Sequence, residues 1–301
     1  MALEAETRPV GMIGLGIMGS AMAANLMAGG FAIVGYDVAE EALAALVEAG
    51  GAKAASPQEI GERCQIVITS LPSIAAFHDV LSGDAGLIAS GTEGLIVIDT
   101  STLPLDTKQE GHDALASAGM TLLDCPLSGT GAQAWMKDLV VLGSGDTAAF
   151  KKCRVVFDGF AKTHHHLGPF GNGSKMKFVA NHLVNVHNVA AAEAMVLGMK
   201  AGLDAQLIYD VIREGAGNSR IFELRAPMMV AGDYDEATMK IDIWQKDLDI
   251  IGAFAAGLDC PTPLFDTATE PYRAAQEAGM GAKDTAAVCA VLEKLAGLER
   301  K

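Results

Sequence analysis

Lys177, Asn181, Asn185 and Asn188 fall at i, i+4, i+8 and i+11 in the segment GNGSKMKFVANHLVNVHN, so a helix would line them along one face. A lysine in that setting can exchange a proton with a hydroxyl or a carbonyl oxygen. An asparagine one turn on can orient that oxygen or the lysine itself. The neighbours Met176, Phe178, Val179, Ala180, Leu183, Val184 and Val186 are apolar. A lysine and three asparagines are costly to bury without partners. The stripe is therefore either the solvated face of an exposed helix or the lining of a cleft. No other face turns polar before Glu193, and a helix apolar nearly all round belongs inside. The cleft is the expectation.

A second set of residues suits a pyrophosphate. The apolar run Val10–Ile13 leads into Gly14-Leu15-Gly16-Ile17-Met18-Gly19, an alanine-rich helical pattern over Ser20–Ala28 follows, and a second apolar run, Phe31–Tyr36, ends on Asp37. This is a βαβ unit with a Gly-x-Gly-x-x-Gly turn and a terminal acid. Gly14 permits the tight turn, Gly16 lets backbone approach the phosphates, and Gly19 brings the helix close to the strand. The unpaired N–H groups and the dipole of the helix start favour an anion. Asp37 can accept hydrogen bonds from both hydroxyls of a ribose and would repel a 2′-phosphate. The next residues are Val38, Ala39, Glu40 and Glu41, and the next cation is Lys53, so NAD is expected over NADP.

A third set could hold a carboxylate. Asp124-Cys125-Pro126-Leu127-Ser128-Gly129-Thr130-Gly131-Ala132 follows an apolar strand. Small residues there can present consecutive N–H groups as an anion nest, with the hydroxyls of Ser128 and Thr130 as further donors. A plain turn explains the same residues more simply, and both readings stand.

The elements that would carry these groups divide the chain in two. Apolar runs at Val10–Ile13, Ala32–Tyr36, Ile66–Thr69, Leu95–Asp99, Thr121–Asp124, Leu139–Leu142 and Arg154–Phe157 read as strands, with helical patterns such as Glu40–Ala49, Ile74–Leu81 and Leu105–Ala118 between several of them. Continuously apolar strands alternating with helices predict an α/β fold, a doubly wound parallel sheet of the Rossmann type, over residues 1–170. After the turn Gly168–Gly173 a single helical pattern runs over Ser174–Ala201, about 42 Å at 1.5 Å per residue, long enough to join two domains. The segments Asp204–Arg213, Ile221–Val230, Met239–Ala256, Pro263–Ala278 and Asp284–Leu295 all read as helices, so residues 171–301 form an all-α domain.

Composition narrows the function. A chain of 301 residues with net charge −15 and no Lys/Arg run argues against nucleic-acid binding through a basic surface. The uncharged stretch 10–36 is broken by glycines, which argues against a membrane span. The start, MALEAETRPV, has no apolar export core. Five scattered cysteines without a CxxC pair read as reduced, packed thiols in the cytoplasm. His164, His165 and His166 would alternate between the faces of a strand and cannot all bind one ion, so no metal site is expected.

Together these segments resemble the β-hydroxyacid dehydrogenase family, which includes relatives of 3-hydroxyisobutyrate dehydrogenase, tartronate semialdehyde reductase and the plant-type glyoxylate/succinic semialdehyde reductases. The resemblance is carried by Met12–Gly19 with Met22, Asn25 and Leu26, by Asp124–Thr130 in place of D-x-P-V-S-G-G, by Gly171, Gly173, Lys177 and Asn181 in G-x-G-x-x-x-K-x-x-x-N, and by Lys246-Asp247-Leu248. It implies an NAD(P)-dependent enzyme moving hydride between nicotinamide and a small 3-hydroxy acid or its semialdehyde. It implies Lys177 as acid/base with Asn181 beside it, and Ser128 and Gly129 at the substrate carboxylate. It places Leu71, Pro72, Ser101 and Thr102 at the nicotinamide, and Lys246 at the coenzyme, oriented by Asp247. A C-terminal domain of the 6-phosphogluconate dehydrogenase kind and a homodimer or homotetramer follow too. Thr130 stands where many members have a second glycine; it narrows the pocket or adds a hydroxyl contact. Two rivals share the nucleotide signature, an imine reductase and a non-catalytic dinucleotide sensor or scaffold; the first usually lacks the lysine, and the second need not keep Lys177 and Asn181 on one face.

Overall fold

The computed structural model describes residues 9–300, so most of the N-terminal segment read for an export signal lies outside the described residues. The chain forms two compact units, one ending at Lys177 and one beginning at Phe178. The first unit contains β1 (Val10–Ile13), α1 (Ile17–Ala28), β2 (Ile33–Tyr36), α2 (Glu40–Glu48), β3 (Ala52–Lys53), α3 (Pro57–Arg63), β4 (Ile66–Thr69), α4 (Ile74–Ser82), β5 (Ile96–Asp99), α5 (Leu105–Ser117) and β6 (Thr121–Asp124). It continues with β7 (Leu127–Ser128), α6 (Gly131–Trp135), β8 (Val140–Gly143), α7 (Thr147–Phe160) and β9 (Thr163–His166). Helix α8 (Asn172–Lys200) starts in this unit and runs on into the second, where α9 (Ala205–Ile212), α10 (Arg220–Ala231), α11 (Ile241–Gly257), α12 (Pro263–Glu277) and α13 (Val288–Leu295) follow.

Six strands form one parallel sheet in the order β3-β2-β1-β4-β5-β6. Alternate residues of each strand feed two cores: Met12, Ile68, Ile98 and Leu123 on one face, Ile13, Val67, Val97 and Leu122 on the other. Burial on both faces is why these strands read as unbroken apolar runs. The register brings Thr69 beside Asp99 and Asp99 beside Asp124, so a polar row closes the carboxyl ends of β4, β5 and β6. Ligands of open α/β sheets bind at that edge. A small sheet, β7-β8-β9, pairs β7 antiparallel and β9 parallel to β8, and the bridge Asp124–Ser144 joins it to β6.

One expected strand is corrected. Residues Arg154–Phe157 lie inside α7. The local run RVVF suits a strand, but Phe150, Cys153, Val156, Phe157 and Phe160 recur at helical spacing and are buried together. Asp146 caps that helix by accepting from Ala149 N–H at 2.7 Å. Strands β3 and β7 are too short to show a period. Helix α3 does carry a signature: Ser56 caps it, Pro57 opens it and Glu59 follows at the third position.

The second unit corrects the reading of the asparagine stripe as a cleft lining. Asn185 and Asn188 are buried to 0 % and 1 % exposure. Asn188 Nδ2 donates to the Tyr272 hydroxyl at 2.7 Å and to the Thr285 carbonyl at 3.0 Å, while Asn185 Nδ2 donates to the Phe265 carbonyl at 3.3 Å and Thr269 Oγ1 at 3.4 Å. They face α12 and the turn before α13, and their partners lie on helices the local pattern could not pair. A second buried tie joins Arg225 to Asp284 at 3.0 Å, with Thr238 and Met239 donating backbone N–H groups to the same carboxylate. Among the described residues no helix is long and apolar enough to cross a membrane.

These bonds give a stability prediction. Asn188→Ala strands a buried hydroxyl and carbonyl together, and should lower the unfolding free energy by about 2–3 kcal/mol in urea titrations. A loss below about 0.5 kcal/mol would show that Asn188 ties nothing down.

Candidate active site

The glycine turn between β1 and α1 is built as a phosphate cradle. Gly14 has φ +88°, and a Cβ there would sit 2.2 Å from the Ser70 carbonyl oxygen; one at Gly19 would sit 1.9 Å from the Gly14 carbonyl oxygen. A Cβ at Gly16 meets nothing within 4 Å, so the backbone there faces open space. Helix α1 starts at Ile17 with no side-chain cap and no acid in its first turn. Its leading N–H groups and positive dipole end therefore suit a pyrophosphate. Asp37 is held by the loop that it follows. Its Oδ2 accepts from Leu15 N–H at 2.6 Å and its Oδ1 from Ala39 N–H at 2.8 Å, so the acid also braces the loop it follows. These features fit a dinucleotide.

The polar row at the strand ends is an ionic node. Lys108 Nζ lies 2.6 Å from Asp124 Oδ1 and 3.0 Å from Asp99 Oδ2, and all three side chains have 0 % exposure. Burial alone would lower the lysine's pKa, but Asp124 and then Asp99 outweigh it and hold the ammonium charged, above the ordinary lysine value. Asp99 Oδ1 also accepts from Thr69 Oγ1 and Ser101 Oγ, both at 2.7 Å. Ser101 Oγ in turn accepts from Leu71 N–H at 2.9 Å. The Ser101 hydroxyl is thus committed to the protein, and Ser101 and Leu71 are buried. Exposed Pro72 and half-buried Thr102 present surface beside them.

The other arm of the node anchors α8. Asp124 accepts from Ser174 N–H at 2.8 Å and Ser174 Oγ at 2.7 Å, and from Ser144 Oγ at 3.2 Å; Ser144 Oγ accepts from Gly173 N–H at 2.9 Å. A carboxylate at a helix start is stabilising in itself. Lys177, half-buried, follows Ser174 at i+3 and so shares its face.

The segment after β6 is more structured than a loop. Ser128 pairs with Val140 between β7 and β8, and Gly129 takes φ +140°. Thr130 caps α6: its hydroxyl accepts from Gln133 N–H, and Gln133 Oε1 accepts from Thr130 N–H at 3.0 Å. A capping role explains threonine at this position and commits both of its donors inside the protein. Helix α6 packs on α1. Asn25 Nδ2 donates to the Ala134 carbonyl at 2.8 Å, and a Cβ on Gly131 would meet Ile17 Cγ2 at 2.5 Å. The structure thus packs α6, the helix that follows the carboxylate-loop candidates, against α1.

In the second unit Asn181 is buried and donates to Asp247 Oδ2 at 3.1 Å, and Lys246 Nζ lies 3.6 Å from Asp247 Oδ1. Within that unit Asn181, Asp247 and Lys246 form one polar chain, apart from the partners of Asn185 and Asn188. No motif marks Lys108. Its signal lies in two acids, Asp99 and Asp124, ending adjacent apolar strands, and in its spacing with Gly111 and Leu115 on the buried face of α5. The histidines divide as a strand requires: His164 lies 3.1 Å from Asp158 and His166 3.0 Å from the Gly145 carbonyl, while His165 is exposed.

Comparison with known proteins agrees with this geometry. Residues 9–168 match the NAD-binding domain of 6-phosphogluconate dehydrogenase, and residues 171–292 match the corresponding domain of NADP-dependent 3-hydroxyisobutyrate dehydrogenase. The chain is 37% identical to L-threonate dehydrogenase of Cupriavidus necator over 94% of this chain and 95% of that one. It is 31% identical to glyoxylate/succinic semialdehyde reductase 1 of Arabidopsis thaliana over 93% and 96%. Among solved structures, 3-hydroxyisobutyrate dehydrogenase of Salmonella typhimurium superposes with a TM-score of 0.85 at 33% identity, covering 94% of this chain and 99% of that one. With nucleotide cradle, strand-end node and lysine-bearing helix in this order, and with likeness over nearly the whole length, the chain belongs to the β-hydroxyacid dehydrogenase family, whose members are NAD(P)-dependent oxidoreductases.

Proposed function

We propose that this enzyme interconverts a small hydroxy acid and its carbonyl form with Lys177 as general acid/base. The observation that carries this reading is the clamp of Ser174 on Asp124. It fixes the first turn of α8 at the carboxyl edge of the sheet, with Lys177 on the same face of that turn. The nicotinamide, when bound, supplies or accepts the hydride. In oxidation the Lys177 amine takes the hydroxyl proton; in reduction its ammonium returns a proton to the carbonyl oxygen. Asn181, one turn further along α8, steadies that exchange. Ser128 and Gly129 face the substrate carboxylate. Thr130 shapes the same loop by capping α6.

Coenzyme binding is assigned to Gly14–Gly19 for the pyrophosphate, Asp37 for the ribose, and Pro72 and Thr102 for the nicotinamide, with Leu71 and Ser101 holding those two in place. Lys246, next to Asp247, is kept as a further coenzyme ligand. The 37% identity to an L-threonate dehydrogenase makes a polyhydroxylated short-chain acid the first substrate to assay. The free thiols fit a cytoplasmic enzyme. Exposed Leu203, Leu207 and Val211, at 53 %, 52 % and 64 %, support a homodimer or homotetramer.

Steady-state assays with a panel of hydroxy acids test the reading. Lys177→Ala should lose about 10²–10⁴-fold in kcat while coenzyme binding holds. Lys177→Arg should restore little, because arginine keeps its proton at working pH. Near-native turnover in either variant would remove Lys177 from the chemistry. On the same substrate kcat/KM should be higher with NAD than with NADP, as Asp37 repels a 2′-phosphate; the opposite order would overturn that role for Asp37.

A further inference from the structure

We propose that Lys108 is a positioning residue for the reaction: its buried ammonium sets the placement of the Leu71–Pro72 turn relative to the first turn of α8. The inference rests on the reading of Lys177 as acid/base. Two chains of contacts leave the one ammonium. The first runs from Nζ to Asp99 at 3.0 Å, from Asp99 to the Ser101 hydroxyl at 2.7 Å, and from that hydroxyl to Leu71 N–H at 2.9 Å. The second runs from Nζ to Asp124 at 2.6 Å, and from Asp124 to the N–H and hydroxyl of Ser174 at 2.8 and 2.7 Å. The first ends at the turn assigned to the nicotinamide, the second at the helix that carries Lys177. The groups assigned to hydride transfer and to proton transfer thus meet at the same side chain through short bonds.

Stability alone does not account for this arrangement. Removing three charged groups from water is costly, and buried ion clusters often stabilise no better than apolar residues of the same volume. What such a cluster does supply is directional geometry. Each carboxylate is oriented by several donors and cannot swing without breaking all of them. A shift of one arm by about 1 Å would leave both reacting groups present but misaligned, which can reduce turnover by about 10²-fold.

Lys108→Met tests this, because methionine fills similar space without charge. Titration of the purified variant with coenzyme alone should give a Kd within about fivefold of the parent, since the Gly14–Gly19 cradle is untouched. The Leu71 and Ser174 amides should exchange hydrogen faster in the coenzyme-free protein. The kcat should fall about 10- to 100-fold with KM for the acid little changed. The primary isotope effect, with substrate deuterated at the hydroxyl-bearing carbon, should rise as hydride transfer becomes rate-limiting. Ser174→Ala is a milder probe that keeps the ammonium, the Ser174 N–H bond to Asp124 and good helix propensity. It should lower kcat about three- to tenfold with the same rise in isotope effect, and it carries the test if Lys108→Met does not fold. Folded variants with kcat within about twofold and an unaltered isotope effect would overturn the proposal and leave the node a structural tie. Lys177→Ala is assayed alongside. Full activity there removes the acid/base reading itself, whereas loss at Lys177 with none at Lys108 and Ser174 removes only the positioning role.

Discussion

The first unit is organised around one constraint, that two carboxylates at neighbouring strand ends must not be buried alone. Asp99 and Asp124 stand side by side in the parallel register, each with 0 % exposure. A single lysine from α5 answers both. Once it is in place the carboxylates become fixed acceptors, and the surrounding backbone uses them. The last residue of β4, the serine after β5, the serine after β8 and the start of α8 all end on these oxygens. A strand-end edge that would otherwise carry loose loops is thereby tied at several points by charge-assisted bonds.

The cradle for the dinucleotide works by a different principle. It uses absence of side chains rather than charge. Close approach of Ser70 and Gly14 carbonyls leaves no room for a Cβ at Gly14 or Gly19, while the space over Gly16 stays open. Helix α6 then seals one flank of α1 through Asn25 and through the contact of Gly131 with Ile17. Capping of α6 by Thr130 and Gln133 shows how a residue in a signature segment can serve the scaffold.

Much of this was legible in the sequence. Val10–Ile13, Ile66–Thr69 and Thr121–Asp124 fall where the apolar runs place them, and the long helix begins within two residues of its expected start. These features are local: composition, period and turn residues suffice. Long-range pairing was not legible. RVVF inside α7 has strand propensity, and only its spacing with Phe150 and Phe160 reveals a helix. Asn185 and Asn188 read as a polar stripe because their partners, Phe265, Thr269, Tyr272 and Thr285, lie roughly 80 to 100 residues away. Lys108 escaped for the same reason. A lone lysine in a helix reads as solvated unless both of its distant acids are seen to be buried.

The bracing of Leu15 by Asp37 has a consequence for how such enzymes change coenzyme. One carboxylate oxygen closes the loop onto Leu15 N–H while the other holds Ala39 N–H. Under the ribose role proposed for Asp37, recognition and scaffolding share a single side chain. Substituting a residue without acceptors at this position loosens the phosphate cradle at the same time as it admits a 2′-phosphate. A switch between the two dinucleotides is then a two-part move. Some side chain must keep an oxygen for Leu15, as serine or asparagine could, before a new cation from the β3 side can be of use.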